Sequence, residues 1–100
     1  MFRGTTPTHI FTLPFDTNTL KEVHIIYAQC DIPVITKTIS DCTLQGKTIT
    51  VKLSQEETFK LDHKKYVQIQ IRVLTESEDV LNSEINVVRV EKCLENAILA

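Results

Sequence analysis

Tryptophan is absent, tyrosine occurs twice, and the chain carries only two glycines and three prolines. So little glycine and proline excludes a collagen-like chain and argues against a disordered linker. Neither sign of charge dominates. The formal net charge is -2, whereas a generic nucleic-acid binder needs a strong basic excess. No apolar run approaches the ~20 residues of a membrane span, so no integral membrane protein is expected. Cysteine is sparse as well: Cys30, Cys42 and Cys93 are odd in number and form no Cys-x-x-Cys pair. That spacing is wrong for a disulfide framework and for a zinc site built on such pairs. Reduced thiols packed like small hydrophobes are expected, with a Cys30–Cys42 bridge as the alternative if the two fall on neighbouring strands. The opening Met1-Phe2-Arg3-Gly4-Thr5-Thr6-Pro7 holds no apolar stretch long enough for a secretory signal, which makes the cytoplasm the expected location.

What is present is branched and alternating. Ile, Val and Thr supply 33 of the 100 residues, and such side chains stiffen χ1 and suit a pleated, half-buried surface. In 66–73, Val67, Ile69, Ile71 and Val73 point one way while Gln68, Gln70 and Arg72 point the other. The same period of two buries Ile49, Val51 and Leu53 in 47–53, and Val23, Ile25 and Tyr27 in 22–27. Further strands are predicted at 8–13, 34–39 and 83–90, with a short piece at Thr43-Leu44 turning back through Gln45-Gly46. In 83–90, Ile85 and Val87 share one face but Val88 and Val90 take the other, so either both faces are covered or a bulge shifts the phase.

Turn residues separate these runs at short intervals, which predicts an antiparallel sandwich rather than βαβ units. Ser54-Gln55-Glu56-Glu57 has a capping-box arrangement, so a helical turn near 54–58 should carry the chain across one end. The prediction is a single all-β domain over 1–100, an immunoglobulin-like antiparallel sandwich of about seven strands with one short helical turn. Residues 1–7 are expected as an arm and 92–100 as a tail, in which Leu94, Ala97 and Ile98 have the spacing of a short amphipathic helix.

The candidates for chemistry are weak. If the first two strands pair through 14–18, His9 and His24 come near one another, but their opposite parity turns them to opposite faces. No Cys, Asp or Glu joins them at ligand spacing, so no metal site or cofactor is expected. Asp62-His63 are neighbours that point apart, Cys42 with His63 is supported only by residue type, and no Gly-x-Ser-x-Gly elbow exists. Glu76, Glu78, Asp79 and Glu84 match no calcium loop, and Lys60, Lys64 and Lys65 are too few for phosphate tracking.

Thr5-Thr6-Pro7-Thr8 is the stretch that suggests a role, because Pro7 favours an extended entrance and cannot donate to a ladder. Sandwich edges are docking rails for other chains, and Pro14 and Pro33 blunt some of them. The candidate interaction residues are therefore Thr5, Thr6, Pro7 and Thr8 in the arm, with Leu94 and Ile98 in the tail.

The chain resembles a group of small proteins of about its own size from prophage-type regions of Gram-positive bacteria. The resemblance spans nearly the whole length. It rests on Phe2-Arg3-Gly4-Thr5-Thr6-Pro7-Thr8, Phe11-Thr12-Leu13-Pro14-Phe15-Asp16, Asp41-Cys42-Thr43-Leu44, Leu53-Ser54-Gln55-Glu56-Glu57-Thr58 and Val67-Gln68-Ile69-Gln70-Ile71-Arg72-Val73. It implies a phage-derived structural or assembly component of the tail or baseplate, with no functional residues to carry over. Where such proteins have a glycine turn after the second strand, this chain has Gln29-Cys30-Asp31-Ile32.

The expected function is a non-enzymatic structural or protein-interaction module. Its partners would be other copies of itself or phage structural proteins, with neither nucleic acid nor membrane, and its place the cytoplasm or the virion. The alternative is a small carbohydrate- or peptide-binding sandwich using loops at one end, weakened by the lack of Trp and the scarcity of Tyr.

Overall fold

A computed structural model describes residues 1–95 and 97–99. Eight strands follow one another as β1 (Thr8–Thr12), β2 (Leu20–Gln29), β3 (Ile32–Thr38), β4 (Cys42–Gln45), β5 (Thr48–Lys52), β6 (Val67–Thr75), β7 (Val80–Asn82) and β8 (Asn86–Val88). A single α-helical turn, α1 (Gln55–Phe59), lies between β5 and β6. The strands form two antiparallel sheets, one in the order β1-β5-β4 and one in the order β3-β2-β6-β7, with β8 also pairing β6. The chain is thus an all-β sandwich, as the alternation predicts.

Alternation decides what lies between the sheets. Val23, Ile25 and Tyr27 of β2, Ile49 and Val51 of β5 with Leu53 beyond it, and Val67, Ile69, Ile71 and Val73 of β6 are all buried. Each such aliphatic side chain contributes roughly 1.5–3 kcal/mol of transfer free energy, an upper estimate because the unfolded chain is itself partly collapsed. Leu61 and Val90 complete the same cluster from outside the strands.

The crossing between the sheets forms where the capping box lies. The Ser54 side chain accepts from the Glu57 backbone N–H at 3.1 Å, and the Glu57 carboxylate accepts from the Ser54 backbone N–H at 2.9 Å. These bonds satisfy donors that a helix start leaves open. Glu57 also meets Lys37 of β3 at 2.7 Å. Burial pushes the Glu57 carboxyl up, but the Lys37 ammonium and the Ser54 N–H pull it further down, so the net shift is downward.

Three turns carry particular chemistry. Cys30 and Asp31 both take positive φ, 53° and 64°, in the two-residue turn between β2 and β3, the conformation of a primed hairpin turn without its usual glycine. Gln68 holds it in place: its Oε1 accepts from the Asp31 N–H and its Nε2 donates to the Asp31 carboxylate, both at 2.9 Å. Gly46, at φ 57°, turns β4 into β5. The buried Gln29 amide donates to the Asp62 carbonyl and accepts from the Asp62 N–H, both at 2.9 Å, and so fixes the loop that leads into β6.

Three expectations need correction. Residues 83–90 are not one strand: Asn82 faces Arg72 but Asn86 faces Ile69, so three residues oppose two between β7 and β8. The phase change is therefore a bulge, one of the two readings left open, and it splits the expected last strand into β7 and β8. The Ser83 hydroxyl accepts the Ile71 N–H at 2.9 Å while the Ser83 N–H donates to the Ile71 carbonyl at 2.8 Å, so a side chain fills the gap in the ladder. Secondly, β1 pairs with β5 and not with β2, which separates His9 and His24 into different sheets. Thirdly, residues 91–95 and 97–99 contain no helix. An isolated turn of that length has too few hydrogen bonds to cover its nucleation cost. The cysteines are free, as expected, and the alternative bridge does not form because Cys30 sits at the turn between β2 and β3 and Cys42 on β4 of the other sheet.

Candidate interaction surface

The arm predicted at 1–7 is held against the sandwich. Its first residues run parallel to the chain beyond β8, with Phe2 bridged to Glu91. The Arg3 N–H donates to the Glu91 carbonyl at 3.1 Å, and the Glu91 N–H donates to the Met1 carbonyl at 2.6 Å. Arg3 donates to the Phe59 carbonyl at 2.9 Å and lies 5.5 Å from the centroid of that ring. Gly4 follows at φ 74°, in close contact with Phe59. Thr5 offers its carbonyl to the fully buried Thr58 hydroxyl at 2.9 Å, and Pro7 offers its own to the Leu53 N–H at 3.0 Å. Of the predicted arm residues, Thr5 and Thr6 are exposed, Pro7 is half-buried, and Thr8 begins β1.

Leu94 is 92% exposed and Ile98 48%. They extend from the chain after β8, and Leu99 exchanges two backbone hydrogen bonds with the Gln55 side chain of α1, at 2.6 and 2.8 Å. The tail is thus anchored at the crossing end of the sandwich while Leu94 points into solvent. Arm and tail both meet the crossing turn, the arm through Thr5 on Thr58 and the tail through Leu99 on Gln55.

The feature that does stand out is the free edge of β1. Among the described residues β1 pairs only with β5. Leu13 donates its N–H to the Lys47 carbonyl at 2.7 Å, and the Pro7 carbonyl accepts from Leu53. The odd-numbered residues therefore direct their backbone groups toward β5, and by the alternation of an antiparallel ladder Thr8, Ile10 and Thr12 direct theirs outward. Five residues without a formal charge, Thr8-His9-Ile10-Phe11-Thr12, make up this rail.

The other edges are guarded. β3 carries Pro33 and turns Lys37 inward to Glu57, which are two recognised devices against edge pairing. β4 has four residues, and β7 and β8 have three each, split by the bulge. Beneath the β1 edge, between it and the β7–β8 bulge, lies a groove of about 450 Å³. Its apolar walls are Phe11, Leu13 and Phe15 on one side and Ile71, Val73 and Leu81 on the other. Ile10 stands on the outer face, 66% exposed.

Ile10 and Phe11 were not among the residues singled out from the sequence. A signal exists in retrospect, an uncharged alternating run framed by Pro7 and Pro14. Which strand lacks a neighbour, however, is not a local property.

The residues considered for chemistry have structural engagements. His9 Nδ1 lies 2.7 Å from the Tyr27 hydroxyl across the sandwich. Burial is the main cause lowering the His9 pKa, and the N-terminal ammonium adds to it. The Cys42 thiol donates to the Thr38 carbonyl at 3.3 Å, and burial followed by the Asp41 charge pushes its pKa up, away from a reactive thiolate. Among the described residues no three His, Cys, Asp or Glu side chains gather as metal ligands, and no helix is long and apolar enough to cross a membrane. Comparison with protein-family models, with curated proteins and with solved structures found no match.

Proposed function

We propose that this chain is a non-enzymatic protein-interaction module on an immunoglobulin-like sandwich, serving as a structural component of a phage-type assembly such as a tail or baseplate. The observation that carries the reading is the free β1 edge above a groove walled in part by apolar side chains. A rail of unpaired backbone groups gives an incoming strand its hydrogen bonds, and the groove beneath gives its alternate side chains a place to bury.

The immunoglobulin-like assignment draws on strand order. Taking β1 to β6 as B, C, C′, D, E and F, with β7 and β8 together as G, yields B-E-D facing C′-C-F-G. The crossing helical turn then lies between E and F. In this scheme the position beside β1, where a first strand A would pair, is the one left open. The resemblance to prophage-region proteins supplies the biological context, and the protein would act in the cytoplasm until built into a particle.

The test is mass spectrometry of purified phage-type particles from cells carrying the gene, with wild type and Ile10→Lys compared. Wild-type protein at stoichiometric level, and loss of the variant from particles while it stays folded, is the expected result. Absence of the wild-type chain from particles overturns the assembly role.

A further inference from the structure

We propose that the open edge is filled by a second copy of this chain, with the two β1 strands paired antiparallel about a two-fold axis at Ile10. This joins the two three-stranded sheets into one of six strands. It rests on the interaction reading above and names the partner.

The rail is self-complementary. The residues that direct backbone groups outward are Thr8, Ile10 and Thr12, and the order Thr-x-Ile-x-Thr reads the same in both directions. A two-fold axis at Ile10 sets Thr8 opposite the second copy's Thr12 and Ile10 opposite the second copy's Ile10. Each facing pair exchanges two bonds, so the new ladder holds about six. An isologous contact of this kind closes on itself, and the joined sheet then ends on two short β4 edges. The neighbouring hydrogen-bonding register toward the C-terminal end would use Pro14, which has no N–H to give.

The side chains agree with that register. On the outer face Thr meets Thr and Ile meets Ile, both favourable cross-strand pairs, and no like charges oppose each other. On the inner face the second copy's His9 comes opposite Phe11. Within one chain these two rings already lie 6.3 Å apart in an edge-on arrangement, so the aromatic row continues across the axis and covers the rim of the groove. Pairing five residues a side, with the rim, buries on the order of 1,000 Å² in total, the lower bound of a specific interface. A contact this small forms reversibly, and its strength is what the concentration series reads.

Sedimentation velocity of the purified full chain from about 5 to about 500 µM tests this. Wild type should pass from monomer to dimer across that range. Ile10→Lys, on an exposed outer-face position, should weaken association at least about tenfold. Thr12→Pro removes only an outward N–H and leaves the β1–β5 ladder intact, so it should do the same while circular dichroism and thermal unfolding stay near wild type. Ile32→Lys, on the guarded β3 edge and equally exposed, should dimerise as wild type does. If Thr12→Pro does not fold, Ile10→Lys alone decides.

Wild type that stays monomeric to the highest concentration overturns the proposal, and so does an Ile10→Lys protein that dimerises unchanged. A monomeric wild type still found in particles sinks self-pairing and leaves the assembly role standing. A dimer absent from particles does the reverse.

Discussion

His9 of β1 and Tyr27 of β2 belong to opposite sheets, and their side chains meet at 2.7 Å in the interior. The Tyr27 ring is fully buried, and a buried phenol needs a partner for its hydroxyl. The imidazole supplies it, and the two rings lie 5.6 Å apart. This bond ties the edge strand β1 to β2 of the second sheet.

A pH dependence follows from that pair. The folded state lowers the His9 pKa below its ordinary value near 6.5, so between the two values the unfolded chain binds the extra proton. The contribution is complete above about pH 6.5 and is lost as the pH falls through the folded value. Urea midpoints measured from pH 7.5 down to 5 should decrease, and His9→Gln should flatten the decrease. Tyr27→Phe should lower stability by about 1 kcal/mol. Identical pH profiles for wild type and His9→Gln would show that another group is responsible.

Gln29 is buried, and its amide serves both backbone groups of Asp62. Gln29→Leu fills similar space but leaves a backbone N–H and a carbonyl without partners. A loss of roughly 2–3 kcal/mol in chemical denaturation is expected. Faster amide exchange should accompany it at 62–65.

Gly4 packs against Phe59 at φ 74°, and a Cβ there would come within 2.6 Å of the ring. Gly4→Ala must therefore both strain the backbone and displace the ring from Arg3. The expected cost is about 1–3 kcal/mol. Removal of residues 1–6 should likewise reduce the unfolding temperature of the whole domain, since Thr5 is the acceptor for the buried Thr58 hydroxyl. A melting temperature unchanged by either alteration would mean the segment does not contribute to the fold.

Ser83 replaces a ladder partner at the bulge by accepting the Ile71 N–H. Ser83→Ala orphans that donor in a half-buried position, at a cost of about 1–2 kcal/mol. Hydrogen exchange at the Ile71 amide should accelerate well beyond that of Val73 two residues away. Equal change at both would indicate general loosening instead of a local role.

Much of the fold is legible because side-chain direction in a strand depends only on parity. Val67, Ile69, Ile71 and Val73 face inward wherever β6 is placed, and so do Ile49, Val51 and Leu53. The capping box of Ser54 and Glu57 and the turn at Gly46 are local in the same sense. The amphipathic spacing of Leu94, Ala97 and Ile98 misled because spacing states only how a helix would be arranged if it had a surface to bury against.

The interaction surface was less legible, for a different reason. The Thr5-Thr6-Pro7-Thr8 segment looks like a loose arm until Glu91, Phe59 and Leu53 are brought beside it from far along the chain. Backbone donors and acceptors are the same in every strand, so composition does not state which strand lacks a neighbour. Residue order alone determined which side chains are sealed between the sheets, since a period of two is a property of neighbours. Only the tertiary structure decided that β5 takes one side of β1 and leaves the other open, because the partners of an edge are chosen by the whole fold.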